Sequence, residues 1–251
     1  LTSISELTFF GTPVVHLKEI NSTNEYLKNV TNHTPMLVIA DYQTKGRGQY
    51  GKVWESVTKQ NLTFSFQWYP CSLKVEEGYK IAQLVSLVIL ETINHFIDPN
   101  RASIKWPNDI IIMNKKVCGL LIEPSIQNNL IQKVVVGIGL NVHQTKFPEN
   151  MPNASSLSSL FPNRTWAINV ILEKMITFFE MQLPILQNIN TRLFFNSNLY
   201  KINEVITIKK ENEILPCINL GVDEEGFWVL KNLSNNDILT IASSQGIEYV
   251  Y

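Results

Sequence analysis

Residues 61–69, Asn61-Leu62-Thr63-Phe64-Ser65-Phe66-Gln67-Trp68-Tyr69, alternate aromatic and aliphatic side chains with polar ones, the period-2 pattern of a strand. Residues 36–40 form a short unbroken apolar run, the pattern of a fully buried strand. Residues 78–97 lack glycine and proline after the first position and are apolar nearly all round, which predicts a core helix. Between 166 and 182, Ile168, Ile171, Leu172, Met175, Ile176 and Phe179 recur at helical spacing on one face, with Asn163 or Thr165 expected to cap the start. A further helix is expected after Pro184. Beyond Leu199 the pattern changes to short strands with turns, at 205–209, 217–221, 227–230 and 239–241, which predicts a small β-barrel-like module. Two units are therefore expected, 1–198 and 199–251, in an α+β chain whose strands and helices alternate without strict βαβ repetition.

Composition narrows the class. With 251 residues, 45% of them hydrophobic, the chain can bury a real core. A formal net charge of −1 provides no basic stripe, so binding to bulk nucleic acid is not expected. Cys71, Cys118 and Cys217 lie far apart and the four histidines show no ligand spacing; neither a disulfide framework nor structural zinc is supported, and a reducing cytoplasm fits. The longest strongly apolar stretch, 84–90, is too short for a bilayer, and the N-terminus lacks a basic region followed by an apolar one, so no membrane association is expected.

The most informative segment is Gln43-Thr44-Lys45-Gly46-Arg47-Gly48-Gln49-Tyr50-Gly51-Lys52-Val53-Trp54, three glycines bracketed by cations, a composition that lets backbone amides approach an anionic group. It satisfies both G-x-G-x-x-G and G-x4-G-K, so the pattern alone decides nothing. A P-loop needs a hydroxyl where Val53 stands, and both phosphate motifs need a helix opening after the last glycine, whereas a strand follows here. A plain Gly-rich connection is the bland alternative. The remaining motifs have bland readings too. Ser22-Thr23-Asn24-Glu25 is by itself a capping box. Lys105-Trp106-Pro107-Asn108-Asp109 reads as a turn between strands, Lys116 as a solvated hairpin residue, and Gly137-x-Gly139-x-Asn141 as a bulge in a Val-rich strand.

Taken in order, the STN segment at 22–24, the GRG-centred loop at 46–48, KWPND at 105–109, the K-x-x-G hairpin at 116–119 and the G-x-G-x-N strand at 137–141 resemble the biotin protein ligase family. The resemblance runs from about Ser22 to Gly226. It implies a class II synthetase-like catalytic domain of mixed sheet and helices with a small SH3-like barrel behind it. It also implies a two-step reaction in which biotin and ATP form biotinyl-5′-AMP and biotin then passes to a lysine of a biotin carboxyl carrier protein. About twenty residues before Ser22 are too few for the DNA-binding module of repressor-type members, so a monofunctional ligase is expected.

The resemblance also implies roles. Biotin contacts fall on Ser22, Thr23, Asn24, Gln43, Gly46, Arg47, Gly48, Gln49, Lys116, Gly137 and Gly139. ATP contacts fall on Arg47, Lys105, Asn108 and Asn141, with Trp54 a candidate for adenine stacking. Arg47 and Lys116 carry the catalytic charge, and Asp109 is the candidate for Mg²⁺. The family often reads GRGRRG where this chain has Gln49 and Tyr50. Two cations are thus absent over the reactive phosphate, and weaker retention of the intermediate is expected. Pairing of exposed strand edges into a homodimer is a further expectation. The alternatives are a lipoate or octanoate protein ligase and a non-catalytic biotin-binding sensor.

Overall fold

The computed structural model describes residues 2–98 and 100–250; Leu1 and Tyr251, the outer limits of the two expected units, lie outside it. In chain order come a two-residue ribbon, β1 (Thr8–Phe9) and β2 (Thr12–Pro13), then β3 (Val15–Leu17), α1 (Thr23–Lys28), β4 (Met36–Ala40) and β5 (Asn61–Trp68). Helix α2 (Tyr79–Phe96), β6 (Ala102–Lys105), β7 (Asp109–Ile112), β8 (Lys115–Gln127) and β9 (Leu130–Asn141) follow. The catalytic-sized part closes with α3 (Leu157–Leu160), α4 (Ile168–Gln182) and α5 (Thr191–Ser197). Last are β10 (Val205–Lys210), β11 (Glu213–Val222), β12 (Trp228–Asn232), β13 (Ile238–Ile241) and β14 (Ile247–Val250).

Among the described residues, the large sheet has the order β3-β4-β5-β9-β8-β7-β6, with β3 and β4 parallel and every other pair antiparallel. Alternation along its central strands sorts residues by face. Leu62, Phe64 and Phe66 of β5 and Val136, Ile138 and Leu140 of β9 join the main core, where α2 and α4 cover them with Leu84, Val88, Leu172, Met175 and Phe179. The opposite positions, Thr63, Ser65, Gln67, Gly137, Gly139 and Asn141, carry polar groups or no side chain at all. Part of that face is roofed by α1, whose Leu27 packs on Val38 and Val135 in a separate small cluster. One face of the sheet makes the core and the other is left for a site.

The mixed sheet with helices is the expected α+β arrangement. The second, smaller antiparallel sheet has the order β13-β12-β11-β10-β14 and includes a fifth strand, β14, with no counterpart in the sequence reading. The capping expectation at α4 fails: the helix begins at Ile168, the first residue of its apolar pattern, Ala167 is the N-cap, and no side chain caps it. Trp166 is instead buried outside the helix against Phe161, so packing rather than capping fixes the start. After Pro184 the chain first makes a 3-10 segment, Leu183–Asn188, and only then α5, capped by the Asn190 side chain on the Leu193 amide. Residues 198–200 hydrogen-bond along the edge strand β6 through Ile104, so the passage between the expected units is itself tied to the large sheet. Cys71, Cys118 and Cys217 are free thiols.

Phe66 is fully buried, with ring centroids 5.3 Å from Phe9 and 4.8 Å from Phe179. Truncating it leaves a cavity between sheet and helix that the fold cannot refill. Phe66→Ala should lower unfolding free energy by about 3–5 kcal/mol, read as a shift of the urea midpoint with an unchanged slope.

Candidate functional site

Helix α1 starts on the open face of the sheet. Ser22 is its N-cap and accepts from the Glu25 amide at 3.5 Å, half of the expected capping box; the Glu25 carboxylate turns outward instead to Arg47 and Lys28. The Thr23 amide donates to Gln43 Oε1 at 2.8 Å, and Thr23 Oγ1 lies 2.6 Å from Ser65 Oγ. Ser65 donates to Asn24 Oδ1 at 2.6 Å, while Asn24 Nδ2 donates to Glu123 at 2.9 Å. Ser22, Thr23 and Asn24 are all buried. A buried polar chain of this kind is tolerable only because its members satisfy one another.

The glycine loop runs from β4 into β5 with no helix after it, so neither a dinucleotide fold nor a P-loop is present. Residues 46–48 and 52–54 form a small antiparallel ribbon, held by Gly48 N to Lys52 O at 2.7 Å and Trp54 N to Gly46 O at 3.1 Å. It turns through Tyr50 (φ 53°) and Gly51 (φ 74°), both left-handed. The Tyr50 hydroxyl lies 2.9 Å from Ser243 Oγ in the C-terminal module.

Gly137 and Gly139 sit in regular strand pairing, with Leu121 and Gly119 as their β8 partners, so the bulge reading fails. A Cβ on Gly137 would stand 2.2 Å from Asn24 Oδ1, and one on Gly139 would stand 2.2 Å from Trp54 Cε2. What approaches the two glycines in this structure is the protein itself: Asn24 on one, the Trp54 indole on the other. Trp54 also covers Gly119, and its Nε1 is buried with no partner among the described residues.

Both candidate catalytic cations are paired. Arg47 bonds Glu25 and approaches Glu123 at 3.4 Å, and Lys116 Nζ is 2.6 Å from Asp109 Oδ1. Lys116 belongs to β8 rather than to the bend, which falls at Met113 and Asn114. Burial holds the Lys105 ammonium below the usual lysine range, with Asp109 pulling it up and Lys116 pushing it further down. Lys105 also lies over the Tyr249 ring at 4.3 Å. Burial pushes the Glu123 carboxyl up, but Asn24, Lys28 and Arg47 together bring it below the ordinary value. Cys118 beside Lys116 is fully buried, and burial drives its thiol far above the physiological range, so it is not a nucleophile.

These groups surround one cavity of about 850 Å³. Ser22, Thr23, Asn24, Gln43, Arg47, Gly48, Gln49, Trp54, Lys105, Asn108, Asp109, Lys116, Gly137, Gly139 and Asn141 all line it; Gly46 does not. A Cβ on Gly46 would lie 2.2 Å from the Trp54 carbonyl, so that glycine serves the ribbon. Asn108 spends its amide on the Leu120 carbonyl at 2.5 Å, tying the KWPND turn to β8. Asn141 donates to the Ser155 carbonyl, and its buried Oδ1 has no partner among the described residues. Such an orphan acceptor suits an amino group of a ligand. No group of three His, Cys, Asp or Glu side chains that could hold a metal occurs among the described residues, at Asp109 or elsewhere. A Mg²⁺ at Asp109 would therefore depend on ligand phosphates and water for most of its coordination, which is ordinary for this ion.

Sequence reasoning missed part of the wall. Glu123 stands just behind the wall, bonded to Asn24 and close to Arg47, and shares a β8 face with Gly119 and Leu121, an alternation that could have drawn attention to it. Ser244, Ile247, Glu248 and Tyr249 also line the cavity, so its wall is not confined to the first 198 residues; no local motif marks them.

Residues 17–141 match the model of the biotin/lipoate A/B protein ligase family. The chain is 26% identical to the bifunctional ligase/repressor BirA of Bacillus spizizenii, over 96% of this chain and 73% of that protein. It is 29% identical to the biotin–[acetyl-CoA-carboxylase] ligase of Mycobacterium tuberculosis, over 63% of this chain and 58% of that one. The solved structure of the biotin protein ligase from Aquifex aeolicus in complex with biotin and ATP superposes with a TM-score of 0.77 at 27% identity, covering 94% of this chain and 99% of that one.

Adding one methyl to the floor tests the packing. Gly139→Ala should expel the Trp54 indole into solvent, shifting its emission to the red and raising its acrylamide quenching. The same substitution in a Trp54→Phe background should change neither signal.

Proposed function

We propose that this chain, which belongs to the biotin/lipoate A/B protein ligase family, is an ATP-dependent biotin protein ligase and that the cavity above the β9 glycines is its active site. The observation that carries this reading is the convergence of five separated sequence segments on one cavity, with two cations, a buried hydrogen-bonding chain and an orphan amide acceptor around it.

The pocket is divided by chemistry. At the α1 end, Ser22, Thr23, Asn24 and Gln43 offer donors and acceptors suited to a ureido ring. Arg47 and Lys116 take the carboxylate and the α-phosphate, exchanging Glu25 and Asp109 for the ligand's anions. An oxygen of the biotin carboxylate then attacks the α-phosphorus and pyrophosphate leaves, giving biotinyl-5′-AMP. Two anions must be brought together for this, so the fixed cations cancel repulsion first and then stabilise the charge that builds at phosphorus. Asn141 Oδ1 is available to the adenine amino group, with Trp54 close by as a stacking surface. Bound Mg²⁺ would neutralise phosphate charge, with Asp109 as its protein ligand. In the second step the ε-amine of a lysine on a biotin carboxyl carrier protein attacks the acyl carbon and AMP leaves. No enzyme nucleophile is required, because the mixed anhydride is already activated.

The test is biotin-dependent exchange of pyrophosphate into ATP. Wild type should exchange with biotin and not with lipoate. Arg47→Ala and Lys116→Ala should each lose at least about 100-fold, roughly 2.7 kcal/mol of transition-state stabilisation. Exchange with lipoate alone would move the chain to a lipoate ligase, and silence with both acids would leave a binding protein. Because Gln49 stands where a second loop cation is frequent, Gln49→Arg should slow dissociation of biotinyl-5′-AMP, measured by trapping released adenylate; equal rates would remove that role from position 49.

A further inference from the structure

Glu123 stands outside the roles already assigned, yet it reaches a residue at each end of the proposed biotin site, Asn24 at the ureido end and Arg47 at the carboxylate end. On the open face of β8 it follows Gly119 and Leu121, and its backbone is held by the pairing of β8 with β9, opposite Val135. Its Oε2 accepts from Asn24 Nδ2 at 2.9 Å; its Oε1 accepts from Lys28 Nζ at 3.1 Å and lies 3.4 Å from Arg47 Nη2. Its side chain is only 20% exposed, against 43% for Glu25, the other carboxylate on Arg47.

This arrangement settles two choices that the local sequence leaves open. An asparagine amide can present either its oxygen or its nitrogen, and Asn24 is fixed because Glu123 takes the NH₂ while Ser65 donates to the oxygen. Gly137 leaves the room for it. Arg47 rides on a glycine ribbon with few packing constraints, and of its two carboxylate partners Glu123 is the one anchored on a central strand. A substrate carboxylate can displace the exposed Glu25 from Arg47 while Glu123 continues to hold the guanidinium from its other edge.

We propose that Glu123 is a positioning residue of this active site: it fixes the Asn24 amide and docks the Arg47 ribbon, so that both are preorganised for biotin, without itself touching the substrate. The inference rests on the ligase reading. Its charge matters because an acid group must accept from three donors at once. A glutamine there has one acceptor oxygen, and its NH₂ would face a donor.

Biotin binding by calorimetry, steady-state exchange kinetics and tryptic cleavage of the ligand-free protein together test this. Glu123→Gln should weaken biotin binding and raise its KM at least about tenfold, leave KM for ATP within about twofold, and speed cleavage after Lys45 and Arg47. In an Asn24→Ala background the same substitution should cost much less, because the two act as one unit. Lys28→Met, which removes the third donor but touches neither Asn24 nor Arg47, should behave as wild type. Glu123→Asp keeps the charge and shortens the reach, and should show the glutamine phenotype; it serves also if Glu123→Gln fails to fold. Unchanged biotin affinity and cleavage in both position-123 variants would overturn the proposal, as would equal rises in KM for biotin and ATP. Failure of wild type to bind biotin would instead sink the ligase reading, while the cleavage comparison would still decide whether Glu123 docks the ribbon.

Discussion

The missing Cβ atoms at Gly137 and Gly139 govern the rest of the site. They lie on the open face of β9, in the middle of the sheet, where any other residue would fill the space now taken by Asn24 and Trp54. Glycine weakens a strand interior, and here the neighbours offset the cost. β9 is paired on both sides from Val134 to Leu140, and its other face contributes Val134, Val136, Ile138 and Leu140 to the core. A strand less firmly held could not carry two bare positions without losing register. The large apolar core under the sheet is thus a condition for the polar hollow above it.

Electrostatics in the hollow follows the same economy. Arg47 meets two carboxylates, Glu25 and Glu123, Lys116 meets Asp109, and Lys105 lies within reach of both Asp109 and Lys116. Burying unpaired cations would be costly, and pairing them fully with deep, rigid carboxylates would leave them useless to a ligand. The exposed Glu25 gives Arg47 a partner that can leave, and the strand-borne Glu123 gives it one that stays. Burial already holds Lys105 below its usual range, as expected of a pocket that favours an incoming anion.

Much of this was legible from the sequence where side-chain period or motif order carried the information. The strand at 61–69, the helix at 78–97 and the order of the five motifs lead directly to a mixed sheet with one busy face. The α4 start was not legible, because a buried Trp166 outweighed the nearby Asn163 and Thr165. Glu123 escaped notice, and Glu25 was read only as half of a capping box, because a carboxylate in a strand or on a short helix has an ordinary reading until its partners, distant in sequence, are known. The same holds for Tyr249, brought over Lys105 from 144 positions away by the pairing of β14 with β10. The glycines were legible as sites of close approach, but not what approaches them.

The rings of Trp106, Trp228 and Tyr249 stack in series, with centroid spacings of 5.2 Å and 5.2 Å and interplanar angles of 20° and 23°. Trp106 belongs to the turn that carries Lys105 and Asp109, whereas Trp228 and Tyr249 belong to the smaller sheet. Separating the two sheets would break the Trp106–Trp228 contact and strip Trp106 of its cover, and would also remove one wall of the cavity. The two parts are therefore coupled in their melting: the smaller sheet cannot fray as an independent foldon without opening the side of the cavity that it lines.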